Sequence, residues 1–311
     1  MIFGIKMKRR FSPDSTMHVY QRSISGFNIF YSLDDFLVFY TIVAVQARKY
    51  GITLLGLCLM IDHIHLLMSA TTLSAMSRFI SSYTSIFVRE FNQRTGRKGP
   101  LFKSAYGSAV KQELKKIRSV IAYLFNNPVE KLLCSRAEAY RWNFLAYHMS
   151  ANPFSKPIGS PSRKLKMSMK IVDESVKNGR YLKYALIETI YKGLDHNEKE
   201  YLTDYIICAY FPFDSSRLIS HFRSYEDMIT AINSNTGNEY EISERHYCKS
   251  DTAYREIINC LRKHGIKDMK DCITFPIEKK IHYSGILKTK TSASYTQIRK
   301  FLHIPKEKQN T

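Results

Sequence analysis

The chain has 311 residues, 44% of them hydrophobic, which is enough to bury a sizeable core and to form one large domain or two ordinary ones. Its 47 Lys and Arg against 27 Asp and Glu give a formal charge of +20, which points to a polyanionic partner, nucleic acid first. A membrane-spanning chain is argued against: the most apolar stretches, Phe36 to Val45 and Ile52 to Ile61, fall short of the roughly 18 residues that cross a bilayer, and the N-terminus lacks a signal-peptide core.

Met17 to Ile24 mixes β-branched and aromatic residues with polar ones and reads as a strand. Ser32 is a candidate N-cap for a helix carrying Phe36, Phe39, Tyr40, Val43 and Ala47 at helical spacing up to Tyr50-Gly51. The apolar runs Ile52 to Met60 and Ile64 to Ser69, hinged at Asp62-His63, read as adjacent strands. A second helix spans about Leu73 to Gln93, with Met76, Phe79, Ile80, Tyr83, Phe87 and Phe91 as its apolar stripe; the basic, Gly-containing stretch Arg94 to Pro100 ends it. A short strand near Ala105 to Val110 precedes a third helix, about Gln112 to Asn127, expected to stop at Pro128. That order of elements is the order of an α+β ferredoxin-like sandwich with a central antiparallel sheet.

A first domain of residues 1–149 is therefore expected, followed by a Pro- and Ser-rich linker over 150–166 and a mostly helical region over 167–311. Helical spacing recurs over Ile187 to Leu194, Lys199 to Ala209, Tyr225 to Ile232 and Thr252 to His264. Near 285–302 the pattern resembles the end of a helix-turn-helix, with Arg299 and Lys300 on the second helix as candidate DNA contacts. The six cysteines, Cys58, Cys134, Cys208, Cys248, Cys260 and Cys272, are scattered without metal-site spacing, which fits reduced thiols in a cytoplasm.

His63-Ile64-His65 lies on a strand, so both imidazoles project from one side and can chelate a divalent ion; as a lone pair, chance or surface histidines is the favoured reading, because the spacing alone is weak evidence. Tyr123 and Asn127 share a helix face. A phenolate is a usable nucleophile toward phosphorus beside a cation, and the amide oxygen can complete a metal site. Tyr123 as a core aromatic and Asn127 as a lead-in to the helix stop is the plain alternative. A zinc hydrolase on the two histidines is a poorer reading, because no carboxylate stands at the required spacing.

Several segments taken together, in order, carry a family resemblance: His18-Val19-Tyr20-Gln21-Arg22, Arg48-Lys49-Tyr50-Gly51, Cys58 to Leu67 around the histidines, Phe91-Asn92, Gly99-Pro100-Leu101-Phe102-Lys103, Tyr123-Leu124-Phe125-Asn126-Asn127-Pro128-Val129 and Tyr140-Arg141-Trp142. The stretch His18 to Tyr147 resembles the REP-associated tyrosine transposases, of the single-tyrosine H-U-H transposase superfamily (IS200-like). The resemblance implies a nickase and strand transferase acting on single-stranded DNA with hairpins or inverted repeats. Tyr123 would form a 5′-phosphotyrosine, and His63, His65 and Asn127 would hold one Mg²⁺ or Mn²⁺. It implies a monomer or homodimer, cytoplasmic and nucleoid-associated, with no membrane partner. Arg22, Arg94, Arg97, Lys98, Lys103 and Lys111 are the candidate DNA contacts in this half. The family usually has Asn where Asp62 stands; as the strand neighbour of His63, Asp62 is expected to point away from the metal face. A DNA-binding regulator that kept the fold and basic surface without cleavage is the alternative from another class.

Overall fold

A computed structural model describes residues 11–103, 106–234 and 253–305. Ala105, the expected start of the fourth strand, Thr252 and Cys248 lie outside the described residues. Four strands, β1 (Thr16–Arg22), β2 (Thr53–Leu59), β3 (His63–Ser69) and β4 (Gly107–Lys111), form one antiparallel sheet in the order β2-β3-β1-β4. With helices α1 (Leu33–Tyr50) between β1 and β2, and α2 (Leu73–Thr95) between β3 and β4, this is the expected ferredoxin-like sandwich.

Local chemistry sets the helix ends. The backbone N–H of Ser32 donates to Asp35 Oδ2 at 3.0 Å, Asp34 and Asp35 face the positive end of the α1 dipole, and Gly51 closes the helix at φ 62°, a conformation that favours glycine. Thr72 Oγ1 accepts the Ala75 N–H at 3.1 Å and starts α2.

Strand alternation then divides the sheet into two faces. Met17 and Val19 of β1 and Ile64, Leu66 and Met68 of β3 point to α1 and α2, where Phe39, Tyr83, Phe87 and Phe91 are all fully buried. His18, Tyr20, His63, His65 and Leu67 alternate to the other face, which is covered by α3 (Leu114–Glu130) through Val120, Ile121, Leu124 and Phe125. Gly56 of β2 admits that helix closely: an added Cβ there would sit 3.0 Å from the Phe125 ring.

The third helix does not stop where the sequence suggests. Pro128 lies inside α3, and the helix continues to Glu130. Proline removes one N–H donor, but the bonds resume beyond it, with Lys131 N–H to Asn127 O at 3.2 Å and Leu133 N–H to Pro128 O at 2.9 Å. Asn127 is thereby held within the helix, in register with Tyr123.

Residues 150–162 carry no helix or strand, and α4 (Arg163–Lys177) begins inside the stretch expected to be linker, capped by Ser162 Oγ, which accepts the Leu165 N–H at 3.0 Å. Then follow α5 (Tyr184–Tyr191), α6 (His196–Tyr210), α7 (Ser215–Ile219), α8 (Tyr225–Asn233), α9 (Ala253–Lys263), α10 (Ile277–Lys290) and α11 (Tyr295–Phe301). These helices pack onto the first half. Tyr40 OH donates to Ile207 O at 2.7 Å, α8 lies on α3, and the buried Lys270 ammonium sits 3.0 Å from Asp34 and 3.4 Å from Asp35 at the N-terminus of α1. A buried cation holds there because two carboxylates and the Ser32 hydroxyl, at 2.7 Å, replace its water. No described helix is long and apolar enough to cross a membrane.

Candidate functional site

The site is built on β3, whose register with β1 sets His63 opposite Arg22 and His65 opposite Tyr20. His65 is buried, yet its surroundings are polar. One ring nitrogen, Nδ1, lies 3.0 Å from His18 Nε2, and the other, Nε2, lies 3.4 Å from the Asn127 side-chain amide nitrogen. An amide nitrogen can only donate, so His65 Nε2 accepts, and Nδ1 carries the proton and donates to His18. Tautomer and amide orientation are assigned as a pair: with Asn127 Nδ2 toward the ring, Nε2 is the acceptor. Burial first, and then the charges of His63, His18 and Arg22, push the His65 pKa well below its usual value, so the ring is neutral, as a metal-ligating imidazole must be.

Tyr123 completes this group from α3. Its ring meets the His65 ring edge-on at 5.5 Å between centroids and the His18 ring at 5.9 Å. The His63 ring stands at right angles to His65, 5.0 Å away. The structure therefore brings together His63, His65, Tyr123 and Asn127, four residues read from the sequence as one site.

Asp62 does not point away, contrary to the strand-alternation expectation. It precedes the first residue of β3, where alternation does not yet apply, and its Oδ1 accepts from His63 Nδ1 at 2.7 Å. His63 Nε2 is thereby turned from the carboxylate. The second Asp62 oxygen takes the Lys300 ammonium at 2.6 Å. Burial alone would raise the Asp62 pKa, but the His63 bond and charge and the Lys300 charge outweigh it and hold the carboxyl well below the usual carboxylate range.

The donor set suits a divalent ion. His65 Nε2 and the Asn127 side chain stand 3.4 Å apart, close to the roughly 3 Å between neighbouring ligands on an ion with bonds of about 2.1 Å. Rotating the amide would present Asn127 Oδ1 in place of its nitrogen. Among the described residues no three His, Cys, Asp or Glu side chains form a metal set, so any ion here would need the Asn127 amide beside the two imidazoles.

The candidate DNA contacts divide differently. Arg22 is exposed at the His63 end of β1, and Lys98 and Lys103 are exposed in the loop after α2. Lys111 pairs with Thr16 at the opposite end of β1, about 20 Å along the strand. Arg94 is ion-paired with Asp268 at 2.6 Å, and Arg97 donates to Asn92 Oδ1 and to the Gly99 carbonyl at 3.0 Å each, bracing its own loop. Arg299 is buried, donating to Ile304 O at 2.9 Å and Ser25 O at 3.0 Å, and Lys300 is turned to Asp62. The second helix of the α10–α11 pair is thus docked on the chain, not exposed as a groove-reading helix would be. A cavity of about 540 Å³ opens on the α2 side of the sheet, lined by Gln21, Thr84, Arg89, Phe102 and Lys103; it contains none of the histidines or Tyr123 and is set apart from this chemistry.

Sequence reasoning gave no role to His18, Asp62 or the Tyr20 ring, which lies over Gly107, where an added Cβ would fall 2.0 Å from it. Alternation puts His18 and Tyr20 on one face of β1. Only the pairing of β1 with β3 puts that face beside His65.

Residues 28–127 match the family model described as "Transposase IS200 like", a span that holds His63, His65, Tyr123 and Asn127 and excludes His18 and the helical second half. No curated protein matches the chain. A solved structure described as "Structure of the REP associates tyrosine transposase bound to a REP hairpin" superposes with a TM-score of 0.38 and 10% identity, covering 51% of this chain and 97% of that one.

Proposed function

We propose that this chain is an IS200-like transposase that nicks and rejoins single-stranded DNA through a covalent bond to Tyr123, with His63, His65 and Asn127 holding one Mg²⁺ or Mn²⁺. The observation that carries the reading is the convergence of the Tyr123 ring, 5.5 Å from His65, with the Asn127 amide, 3.4 Å from His65 Nε2, on a polar patch beside the apolar sheet–helix core.

The phenolic oxygen of Tyr123 attacks the scissile phosphorus, forming a 5′-phosphotyrosine as the bond to the 3′ oxygen breaks. The phenol gives up its proton and the departing 3′-hydroxyl gains one, so charge balances, and a second 3′-hydroxyl reverses the step to rejoin strands. A divalent ion, when bound, draws charge from a non-bridging phosphate oxygen. The chain's own residues do the positioning: α3 fixes Tyr123 and Asn127 in one register, His18 keeps the His65 lone pair at Nε2, and Asp62 orients His63. Within one chain the Tyr123 ring lies 5.5 Å from His65, which supports attack in cis. Arg22, Lys98 and Lys103 are the exposed cations that would neutralise the backbone of a hairpin-bearing strand. A regulator that reads DNA with α11 has less support, because that helix is docked through Arg299 and Phe301.

The full chain with Mn²⁺ and an end-labelled hairpin oligonucleotide is expected to give a protein–DNA adduct that survives denaturation and disappears with chelator or in Tyr123→Phe. Equal adduct in Tyr123→Phe would remove the nucleophile assignment.

A further inference from the structure

We infer that Lys300, in the helical region outside the matched segment, is a positioning residue for the nicking site, acting through Asp62 to fix the His63 ring; the inference rests on the metal-site reading above. The Lys300 ammonium contacts one Asp62 oxygen at 2.6 Å while the other oxygen takes His63 Nδ1 at 2.7 Å. Asp62 is therefore a two-ended link between α11 and the ring whose Nε2 is left for an ion. Carboxylates that orient a ligating histidine from its far nitrogen are worth about 10–100-fold in metal affinity. An ordinary surface pair would be worth almost nothing.

Three features separate this contact from such a pair. The Lys300 stem crosses Gly26, where an added Cβ would lie 3.2 Å from Lys300 Cε, so the path of the side chain is shaped by a residue that leaves room for it. The backbone around Lys300 is pinned to the segment after β1: Asn28 N–H donates to Lys300 O at 3.1 Å, Tyr31 OH to Phe301 O at 2.7 Å, and Arg299 to Ser25 O at 3.0 Å. Asp62 is held as well, its carbonyl accepting the Ser23 N–H at 3.0 Å. With both backbones held, no loop has to be ordered when the link forms. Asp62 stands where the resemblance leads one to expect Asn. A charged residue there needs a counter-charge that a neutral amide does not, and Lys300 supplies it.

The test uses the full chain and Mn²⁺ alone, titrated by electron paramagnetic resonance without DNA. Lys300→Met is expected to weaken Mn²⁺ binding about tenfold, Lys300→Arg to restore it, and Lys300→Met to add little in an Asp62→Asn background. Unchanged affinity in Lys300→Met, or an equal loss in the Asp62→Asn background, overturns the inference. Lys300→Gln serves the same comparison if the Met variant melts early. If the wild-type chain binds no Mn²⁺, the metal reading itself fails. The ¹⁵N spectrum of the His63 ring then decides: loss of the Nδ1–H form in Lys300→Met upholds the positioning role, and an unaltered tautomer ends it.

Discussion

The α1–α2 face of the sheet and the α3 face are made by the same strands from opposite materials. On the first, Met17, Val19, Ile64, Leu66 and Met68 meet Phe39, Tyr83 and Phe87 in an almost wholly apolar layer. On the second, the intervening residues His18, His65 and His63 lie beneath Tyr123 and Asn127, and each buried polar atom there must find a partner. The first face accounts for why the sheet holds together. The second gives up apolar burial to keep ring nitrogens and a phenol in fixed orientation, and the appended helices serve both: Lys270 braces α1, and Lys300 reaches Asp62.

Substitutions on the two faces should therefore separate activity from stability. The largest effect expected is His65→Ala, with adduct falling below detection; adduct at the wild-type level would show that the polar face is not the site. Next is Phe87→Ala, which empties the centre of the apolar face and should cost about 3–5 kcal/mol in urea unfolding, while adduct formation well below the melting temperature stays at the wild-type level. A folded Phe87→Ala protein that had lost adduct would mean that the faces are not separable. His18→Leu comes third. It removes the acceptor for His65 Nδ1–H, leaving a buried donor unpaired at about 1–3 kcal/mol, and should weaken Mn²⁺ binding about tenfold. His18→Gln, which keeps an acceptor oxygen, should recover much of both, and failure of that contrast would deny His18 an orienting role.

The element order from β1 to α3 was legible because each piece carries a local signal: the Phe39, Tyr40, Val43 spacing on α1, the Met76 to Phe91 stripe on α2, and the Ser32 and Gly51 ends. His63, His65, Tyr123 and Asn127 were legible for a similar reason, since alternation and the helical repeat fix side-chain direction within one element. What the sequence hid were relations between elements. His18 joins the site through the β1–β3 register, and Asp62 turns inward because β3 begins one residue after it. Arg299 and Lys300 read as groove contacts, since a basic helix looks the same whether its cations face solvent or a carboxylate 238 positions away. Pro128 misled in the other direction: the rule that proline ends a helix omits the two bonds that carry α3 past it.

The smallest predicted effect concerns pH and the seam between the helical half and the sheet-bearing half. His303 follows α11, stacks on Phe27 at 4.4 Å between centroids, and donates from Nε2 to Asn28 O at 2.9 Å. Burial, against the opposing effect of the Asn28 bond and with the nearby Arg97 and Lys280 charges, lowers its pKa to about 3, whereas the unfolded chain titrates near 6.5. The folded value is the depressed one, so the unfolded state binds the extra proton between these limits. Stability is fully present above about pH 6.5 and is lost as pH falls toward 3, by about 1.4 kcal/mol per pH unit for this group. His65, held neutral by burial in the same way, adds to the loss. The urea midpoint should therefore drop between pH 7 and pH 5, and His303→Gln, which keeps a donor for Asn28 without a titrating ring, should drop less by about one proton's worth. Equal slopes in the two proteins would mean that His303 takes up its proton without leaving the fold, and that the seam is not where acid first acts.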